Sequence, residues 1–237
     1  MYRMMRYGGF CARTASSCVG AARGASARIR NLQFAAKAAD IIGLYLDPPN
    51  NALVLSVDEK PTIQAVERAR GYVQTSSGKV VQGLKSTYKR HGTINLFAAL
   101  EVATGVIHGK TTQTKKRVDF RAFMDELVGE FPAARPIHVI LDNFCTHKRN
   151  EDWLSAHPNV TFHFTPTSAS WLNQVEIWFG IFSRKALAGA SFRNVDQLVQ
   201  AIKDFTEVYN AKAAPFVWRK RQVKGAQLRN TIVNLRN

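Results

Sequence analysis

The sequence lacks the features of disulfide-rich, zinc-binding and membrane-spanning proteins. Its three cysteines, Cys11, Cys18 and Cys145, form no CxxC pair, which argues against a disulfide framework and against a cysteine-ligated zinc site. The histidines show no HxxH or HExxH spacing. No apolar run approaches the roughly 18–20 residues that a membrane helix needs. We therefore expect a cytoplasmic protein without a membrane partner.

Acidic residues are absent from both ends of the chain. Residues 1–33 carry six arginines, and residues 211–237 carry seven lysines or arginines. The middle, residues 34–210, is nearly balanced, with 20 basic and 17 acidic residues. Most of the formal net charge of +16 therefore lies at the two ends. Basic ends favour a polyanionic partner, nucleic acid before an anionic membrane, and a merely solvated surface is the alternative.

Residues 1–33 show no helical period and no continuous apolar segment. Their arginine, alanine, serine and glycine content is similar to that of an organelle transit peptide. A disordered basic arm, or an accidentally translated leader, is the preferred interpretation. We expect a folded domain over residues 34–210, followed by a basic tail over 211–237.

The pattern of the middle region predicts an α/β fold. Apolar residues at helical spacing predict helices, and apolar runs or alternation predict strands. In order, we expect a short helix from Phe34, a strand over 51–60, a long loop or irregular hairpin over 71–92, two strands around a turn at 103–105, a helix over 118–131, a strand over 137–142, a short helix over 150–156, a strand over 160–164, and helices over 170–187 and 195–209. This alternation favours a mixed sheet with helices on its faces.

Three carboxylates occupy positions where burial makes a carboxylate costly. Asp58 and Asp142 each end a predicted core strand, and Glu176 lies on a helix crowded with aromatic residues. If the two strands are parallel neighbours, about 4.8 Å apart, Asp58 and Asp142 leave the sheet at the same edge and can share a ligand. Carboxylates that close raise one another's pKa unless a cation intervenes, and hard oxygen ligands suit Mg²⁺ or Mn²⁺. Spacing alone leaves this metal site and ordinary turn or capping roles equally open.

Five ordered motifs resemble the DDE transposases of bacterial insertion sequences, in the mariner-related branch of insertion sequence 630 type. They are "LVLSVDEK", "YKRHGT" followed by "NLFAALEVATG", "HVILDNFCTHK", "HFTPTSASWLNQVEIWF" and "PFVWRKR". Thirty-three residues separate Asp142 from Glu176, which is near the spacing of that branch. The resemblance runs from about Phe34 to the C-terminus.

The resemblance implies a ribonuclease-H-like fold, a five-stranded mixed sheet flanked by helices. It also implies that Asp58, Asp142 and Glu176 are the catalytic acids and that they hold two Mg²⁺ or Mn²⁺ ions. One ion would lie between Asp58 and Asp142, and the other between Asp58 and Glu176. Glu59 follows Asp58 but should face the other way on the strand.

Other residues on or near these motifs receive supporting roles. Asn143, His147 and Asn173 are interpreted as groups that support the acids or contact DNA, with capping as the alternative for the two asparagines. Basic residues are expected to hold phosphates: Lys148, Arg149, Arg184, Lys185, Arg219, Lys220, Arg221 and Lys224. Cys145 is expected to be a small packed residue. Trp171 and Trp178 are expected in the core, with stacking on a DNA base as the alternative.

The function that the resemblance implies is metal-dependent DNA cleavage and strand transfer during insertion-sequence transposition. The implied partners are double-stranded DNA, both transposon ends and target, and a second copy of the chain in a homodimer on the bacterial nucleoid. Residues 1–33 do not match the helix-turn-helix units that read the ends in this family, so we expect a truncated copy. Two alternatives remain: a structure-selective nuclease on the same fold, and an inactive DNA-binding remnant.

Overall fold

The computed structural model describes residues 33–217. Residues 1–32 and 218–237 lie outside this range, and with them almost all of the predicted leader and most of the predicted tail. The outlying residues include Cys11, Cys18, Arg219, Lys220, Arg221 and Lys224. Within the described range, no helix is both long and apolar enough to cross a membrane.

A five-stranded mixed sheet forms the centre of the fold, as the sequence predicts. Its strands are β1 (Leu53–Gln74), β2 (Val80–Glu101), β3 (Ile107–Thr112), β4 (Ile137–Leu141) and β5 (Val160–Phe164). The spatial order is β3-β2-β1-β4-β5. Strands β1, β2 and β3 pair antiparallel, whereas β4 is parallel to both β1 and β5. The first core strand and the later apolar strand are therefore parallel neighbours.

Five α-helices surround the sheet. They are α1 over 33–46, α2 (Arg117–Gly129), α3 (Glu151–Ala156), α4 (Val175–Phe182) and α5 (Val195–Asn210). On α5, Asn194 caps the N-terminus by accepting a hydrogen bond from the Gln197 backbone N–H, at 2.8 Å. The predicted positions of these helices are confirmed, with one exception described below.

The alternation of apolar residues along β1 sends side chains to both faces of the sheet. Leu55 and Val57 point to one face and pack with α2 and α3, where Phe120 and Met124 are also buried. The opposite face of the neighbouring strand β2 packs against α4 and α5, with Trp178 fully buried there. Each fully buried large apolar side chain contributes roughly 1.5–3 kcal/mol of transfer free energy. The sheet therefore has a hydrophobic core on each face, covered by helices.

A third apolar cluster packs α1 against the inner strands β1 and β4. Ile41 and Leu44 of α1 are buried against Val54 of β1 and Ile140 of β4. Leu172, which lies just before α4, is buried in the same cluster. This packing places the segment before α4 directly over the neighbouring strands β1 and β4.

The single long helix expected over 170–187 is broken into three pieces. A 3₁₀ turn, Ser170–Leu172, precedes α4, and a π-helical turn, Ser183–Leu187, follows it. The break before α4 falls at Asn173, whose backbone is extended (φ −82°, ψ 106°). Because the Asn173 side chain is buried and donates hydrogen bonds to β1, the backbone there leaves the helical path. Propensity alone cannot foresee this tertiary demand.

The region expected as a loop or irregular hairpin over 71–92 is a hairpin. Strands β1 and β2 remain paired out to Gln74 and Val80, and a turn over 75–79 with Gly78 at φ +79° joins them. Register shifts interrupt the ladder between Lys60 and Ile63 and at two later points. Asp58 therefore does not end its strand, because β2 continues to pair with β1 after β4 has stopped.

Candidate active site

The parallel pairing of β1 and β4 brings Asp58 and Asp142 to the same edge of the sheet. The register aligns Leu55 with Val139 and Ser56 with Ile140, and β4 ends one residue before Asp142. Continuing that register by two residues sets Asp58 beside Asp142. The side chain of Asp58 is buried at 6% exposure, whereas Asp142 is partly exposed.

Glu176 approaches from the first turn of α4. The residue before it, Val175, is buried on the face of the sheet that α4 covers, and so is Phe179 one turn later. Glu176 itself is exposed. Helix α4 packs against β1, and Glu176 is close enough to Asp58 and Asp142 for their charges to interact.

The electrostatics of the three acids indicate that they share one site. Burial raises the pKa of Asp58 to about 7, and the nearby charges of Asp142, Glu59 and Glu176 add to this rise, against a hydrogen bond from the Glu59 backbone N–H. Burial also raises the pKa of Glu176, where Lys60 acts in the opposite direction and Asp142 and Glu59 add to the rise. Asp58 and Glu176 are therefore disfavoured in their charged forms, by burial first and by neighbouring acids second.

Asp142 differs from the other two acids because a histidine side chain is hydrogen-bonded to it. His147 Nδ1 lies 2.8 Å from Asp142 Oδ1, and the Phe144 backbone N–H donates to the same oxygen at 2.8 Å. Burial would raise the pKa of Asp142, but these hydrogen bonds outweigh it and the pKa is lowered. The side chain that contacts Asp142 in the structure is thus the imidazole of His147.

The sequence interpretation missed Glu59 as part of the site. Glu59 does point to the face opposite Asp58, but its side chain is only 6% exposed and its Oε2 lies 3.0 Å from His147 Nε2. Burial would lower the pKa of His147, yet its hydrogen bond with Asp142 and its close charge interactions with Asp142 and Glu59 raise that pKa to about 9. His147 has no exposed surface, so it supports Asp142 and does not face solvent. No spacing rule predicts this pairing, because β1 and the loop after β4 meet only in the fold.

Asn173 and Ser56 hold the start of α4 against Asp58. Asn173 Nδ2 donates to the Val57 carbonyl at 2.9 Å and to Asp58 Oδ2 at 3.3 Å. Ser56 Oγ donates to Asn173 Oδ1 and accepts from the Val175 backbone N–H at 2.9 Å. Ser56 was also missed, although its polar side chain in an apolar strand was a visible signal. Asn173 therefore links Asp58 to the helix that carries Glu176.

Tyr45 of α1 adds a further link to the same segment. Its hydroxyl donates to the Leu172 carbonyl at 2.8 Å and accepts from the Gln174 backbone N–H at 3.2 Å. Burial raises the pKa of Tyr45 to about 12, so the hydroxyl keeps its proton. The segment before α4 is thereby held from both α1 and β1.

The remaining predicted residues differ in their exposure to solvent. Asn143 Nδ2 donates to the Thr165 carbonyl, which joins the loop after β4 to the loop after β5. Lys148 is exposed, and so are Arg149, Arg184 and Lys185. These four basic residues are accessible to a partner.

Two expectations about packing are wrong. Cys145 is exposed and not packed, because it lies in the loop after β4, where its carbonyl accepts from Arg117. Trp171 is 63% exposed because it lies on the short 3₁₀ turn outside α4. Trp178 is fully buried, as expected, with its ring stacked on that of Phe182.

The donor set suits a hard divalent cation, although the described part of the chain offers no closed cage. Within residues 33–217, no group of three His, Cys, Asp or Glu side chains is clustered tightly enough to hold a metal ion. Mg²⁺ commonly takes only one or two protein carboxylates and completes its shell with water and substrate phosphates. Oxygen donors that raise one another's pKa fit that kind of open site.

Comparison with known proteins agrees with the motifs. Residues 53–199 match the family described as DDE superfamily endonuclease, and the chain belongs to this family. The insertion element IS630 uncharacterized 39 kDa protein of Shigella sonnei is 25% identical over 114 residues, which cover 47% of this chain and 33% of that protein. The chain thus aligns with only a third of this curated relative.

A solved structure has the same fold. The Mos1 strand transfer complex superposes with a TM-score of 0.56 at 13% identity, covering 89% of this chain and 59% of that chain. This similarity confirms the predicted ribonuclease-H-like architecture. Together with the family match, it confirms the resemblance to DDE transposases of the insertion sequence 630 and mariner type.

Proposed function

We propose that this chain cleaves DNA and transfers the cleaved strand to a target during transposition of an insertion sequence. In the first reaction, water attacks a phosphodiester and the bond to the 3′ oxygen breaks, which leaves a 3′-hydroxyl and a 5′-phosphate. In the second, that hydroxyl attacks a phosphodiester of the target and displaces its 3′ oxygen. No covalent intermediate with the protein is required.

The convergence of Asp58, Asp142 and Glu176 carries this proposal. Two neighbouring strands and one helix carry the three carboxylates; burial and nearby acids raise the pKa of Asp58 and of Glu176, whereas His147 lowers the pKa of Asp142 against the effect of burial. A divalent cation bound between these carboxylates would relieve the repulsion around Asp58.

Asp58, Asp142 and Glu176 would hold two Mg²⁺ or Mn²⁺ ions, with Asp58 contributing to both. When bound, such ions activate the attacking water and stabilise the leaving oxygen. Asp58 must first lose the proton that its raised pKa retains near neutral pH. His147 keeps Asp142 ionised and fixes its orientation, while Asn173 orients Asp58.

Double-stranded DNA, as transposon end and as target, is the proposed partner. Lys148, Arg149, Arg184 and Lys185 are exposed and would contact phosphates. The catalytic unit would span residues 34–210, and the basic segments 1–33 and 211–237 would add affinity that does not depend on sequence. Two ends must join one target, so we propose that a homodimer acts on the bacterial nucleoid.

The test combines a nicking assay with a strand-transfer assay. The purified chain is incubated with supercoiled plasmid and Mg²⁺ or Mn²⁺, and separately with a pre-cut labelled duplex that ends in a 3′-hydroxyl. We expect nicked plasmid and joined products, both abolished by EDTA and reduced at least about 100-fold in Asp142→Asn. Lys203→Ala, an exposed change on α5, is the matched control.

The two rival functions predict different products. A structure-selective nuclease would cut the plasmid but never join the pre-cut end. An inactive DNA-binding remnant would retain DNA equally well in the wild-type chain and in Asp142→Asn, with no nicking in either.

A further inference from the structure

Lys60 is a cation on the same face of β1 as Asp58. The antiparallel register pairs Asp58 with Ala98 and Lys60 with Leu96 without interruption, so the two side chains, two residues apart, point the same way. Lys60 Nζ lies 5.9 Å from the centre of the Phe179 ring. Phe179 is one turn after Glu176 on α4, so Lys60 lies between β1 and the helix that carries the third acid.

The ammonium group of Lys60 lies near acidic side chains without forming a close ion pair with them. It acts on Glu176 from a distance, because its charge opposes the rise in the pKa of that acid. Among residues 33–217, however, Lys60 forms no ion pair within 4 Å. The side chain is only partly buried. A cation in this position can still accept an anionic ligand.

The backbone immediately after Lys60 is irregular. The ladder between β1 and β2 shifts register between Lys60 and Ile63, which marks a bulge. Within this bulge Thr62 has φ +56°, a left-handed conformation that a β-branched residue rarely adopts. Bulges are common beside active sites, where they redirect a side chain.

Asn95 of β2 fixes this bulge from the neighbouring strand. Its Oδ1 accepts from the Thr62 backbone N–H at 3.0 Å, and its Nδ2 donates to the Gln113 carbonyl at 3.1 Å. Strain of this kind persists only where the surroundings hold it, and it concentrates at functional sites. The regular ladder therefore ends at Lys60, and the neighbouring strand holds the bulge that follows it.

We propose that Lys60 is a catalytic residue that binds a non-bridging oxygen of the reacting phosphodiester beside Asp58 and Glu176. The inference rests on the proposed function and adds to it a direct contact with substrate. Lysine is a compact cation suited to phosphate, and a donor fixed before reaction stabilises charge that develops on the oxygens. The contact would also place the phosphodiester between the acids of β1 and α4.

The competing explanation is that Lys60 only adjusts the ionisation of Glu176. The two roles differ in metal-free DNA binding and in the pH profile of the reaction. A phosphate contact contributes to DNA affinity in EDTA, and each such contact adds about 0.9 to the slope of log affinity against log salt. If Lys60 acts only by favouring the ionisation of Glu176, Lys60→Ala leaves that slope unchanged. Its loss of nicking rate then disappears at high pH, where Glu176 is ionised in every variant.

The experiment compares Lys60→Ala and Lys60→Arg with wild type and with Lys203→Ala, an exposed lysine that lines a cavity beside β3. Plasmid nicking in Mn²⁺ is timed at saturating protein across a pH series, and affinity for a short duplex is measured in EDTA across a salt series. Thermal melting confirms that each variant is folded.

We expect Lys60→Ala to slow nicking by at least about 100-fold at every pH and to lower the salt slope by about 0.9. Lys60→Arg, which keeps the charge, should stay within about tenfold of wild type, and Lys203→Ala within about twofold. Nicking by Lys60→Ala within about threefold of wild type, a defect that vanishes at high pH, or an unchanged salt slope would overturn the inference. Failure of the wild-type chain to nick would instead refute the proposed function.

Discussion

His147 joins the carboxylate of Asp142 to that of Glu59 through its two ring nitrogens, at 2.8 Å and 3.0 Å. The imidazole has no exposed surface, and it packs against the Phe120 ring at a centroid distance of 4.7 Å. Glu59 comes from β1 and Asp142 follows β4, so this cation couples the two strands that carry the aspartates. Its loss would remove the cation from both carboxylates, one of which is buried.

We predict that the stability supplied by His147 depends on pH. Its pKa is about 9 in the folded chain and near 6.5 in the unfolded chain, so its contribution is complete below about 6.5 and is lost as pH rises toward 9. His147→Ala should therefore lower the free energy of unfolding by about 3 kcal/mol at pH near 6.5. Urea unfolding across the pH series measures the difference.

Glu59→Gln provides the control for this prediction. Because it removes the buried acid that His147 meets, the cost of His147→Ala should be smaller in the Glu59→Gln background, by roughly 1–2 kcal/mol. Strictly additive effects, or a His147→Ala cost that does not change with pH, would show that the imidazole only fills space.

We predict that Asp58→Asn stabilises the chain in EDTA at pH near 8. The pKa of Asp58 is raised from 3.8 to about 7, so its ionisation opposes folding as pH rises from about 4 through 7. An amide avoids that penalty, and the loss of one acceptor reduces the gain to about 2 kcal/mol, or roughly 4–8 °C in melting temperature. At pH near 4, where Asp58 is protonated, wild type and variant should melt together. A lower melting temperature for Asp58→Asn at pH near 8 would refute the interpretation.

The fold class that makes β1 and β4 parallel neighbours could be predicted, because it depends on sequence patterns along each strand and on the motifs. Apolar runs ending at Asp142, and alternation around Asp58, define two strands, and the motifs supply the pairing that makes them neighbours. The parallel register then sets Asp58 beside Asp142, although β1 continues beyond Asp58. No side-chain detail is needed for that step.

The interactions around the acids could not be predicted in the same way. The Glu59–His147 contact and the Asn173 break before α4 depend on side chains that meet only after the layers pack. The register shift after Lys60 has the same origin, because Asn95 of the neighbouring strand holds Thr62. Local propensity favours a continuous helix and a regular strand at these places, and tertiary contacts override it.

We predict that Mg²⁺ binding strengthens with pH up to about 7. Because Asp58 must lose its proton before it can bind a cation, the apparent dissociation constant should fall about tenfold per pH unit below 7 and level off above about 8. Isothermal titration calorimetry, without DNA, measures it. Asp58→Asn should bind more weakly and lose this pH dependence, and a constant affinity across the range would contradict the assignment of Asp58 as a ligand.

We predict that Trp171 contributes to DNA binding and not to stability. Its side chain is 63% exposed, so Trp171→Ala should change the free energy of unfolding by less than about 0.5 kcal/mol. Stacking on an unpaired base is worth about 1–3 kcal/mol, so affinity for single-stranded DNA should fall roughly 5- to 150-fold. Val208→Ala, at a position 67% exposed on α5, is the control. Equal affinities in both variants would exclude a stacking role.

We predict that Arg184 and Lys185 contact phosphates. Both are exposed on the π-helical turn Ser183–Leu187, which follows α4 directly and so lies near Glu176 along the chain. The double change Arg184→Ala with Lys185→Ala should lower the slope of log affinity against log salt by nearly 2 for duplex DNA, because each phosphate contact contributes about 0.9. Fluorescence anisotropy in EDTA over a range of salt measures that slope without cleavage. Lys203→Ala with Lys37→Ala removes two exposed lysines from α5 and α1 and matches the loss of charge. If both double variants lower the slope equally, the effect follows from net charge, and the turn after α4 is not a DNA contact.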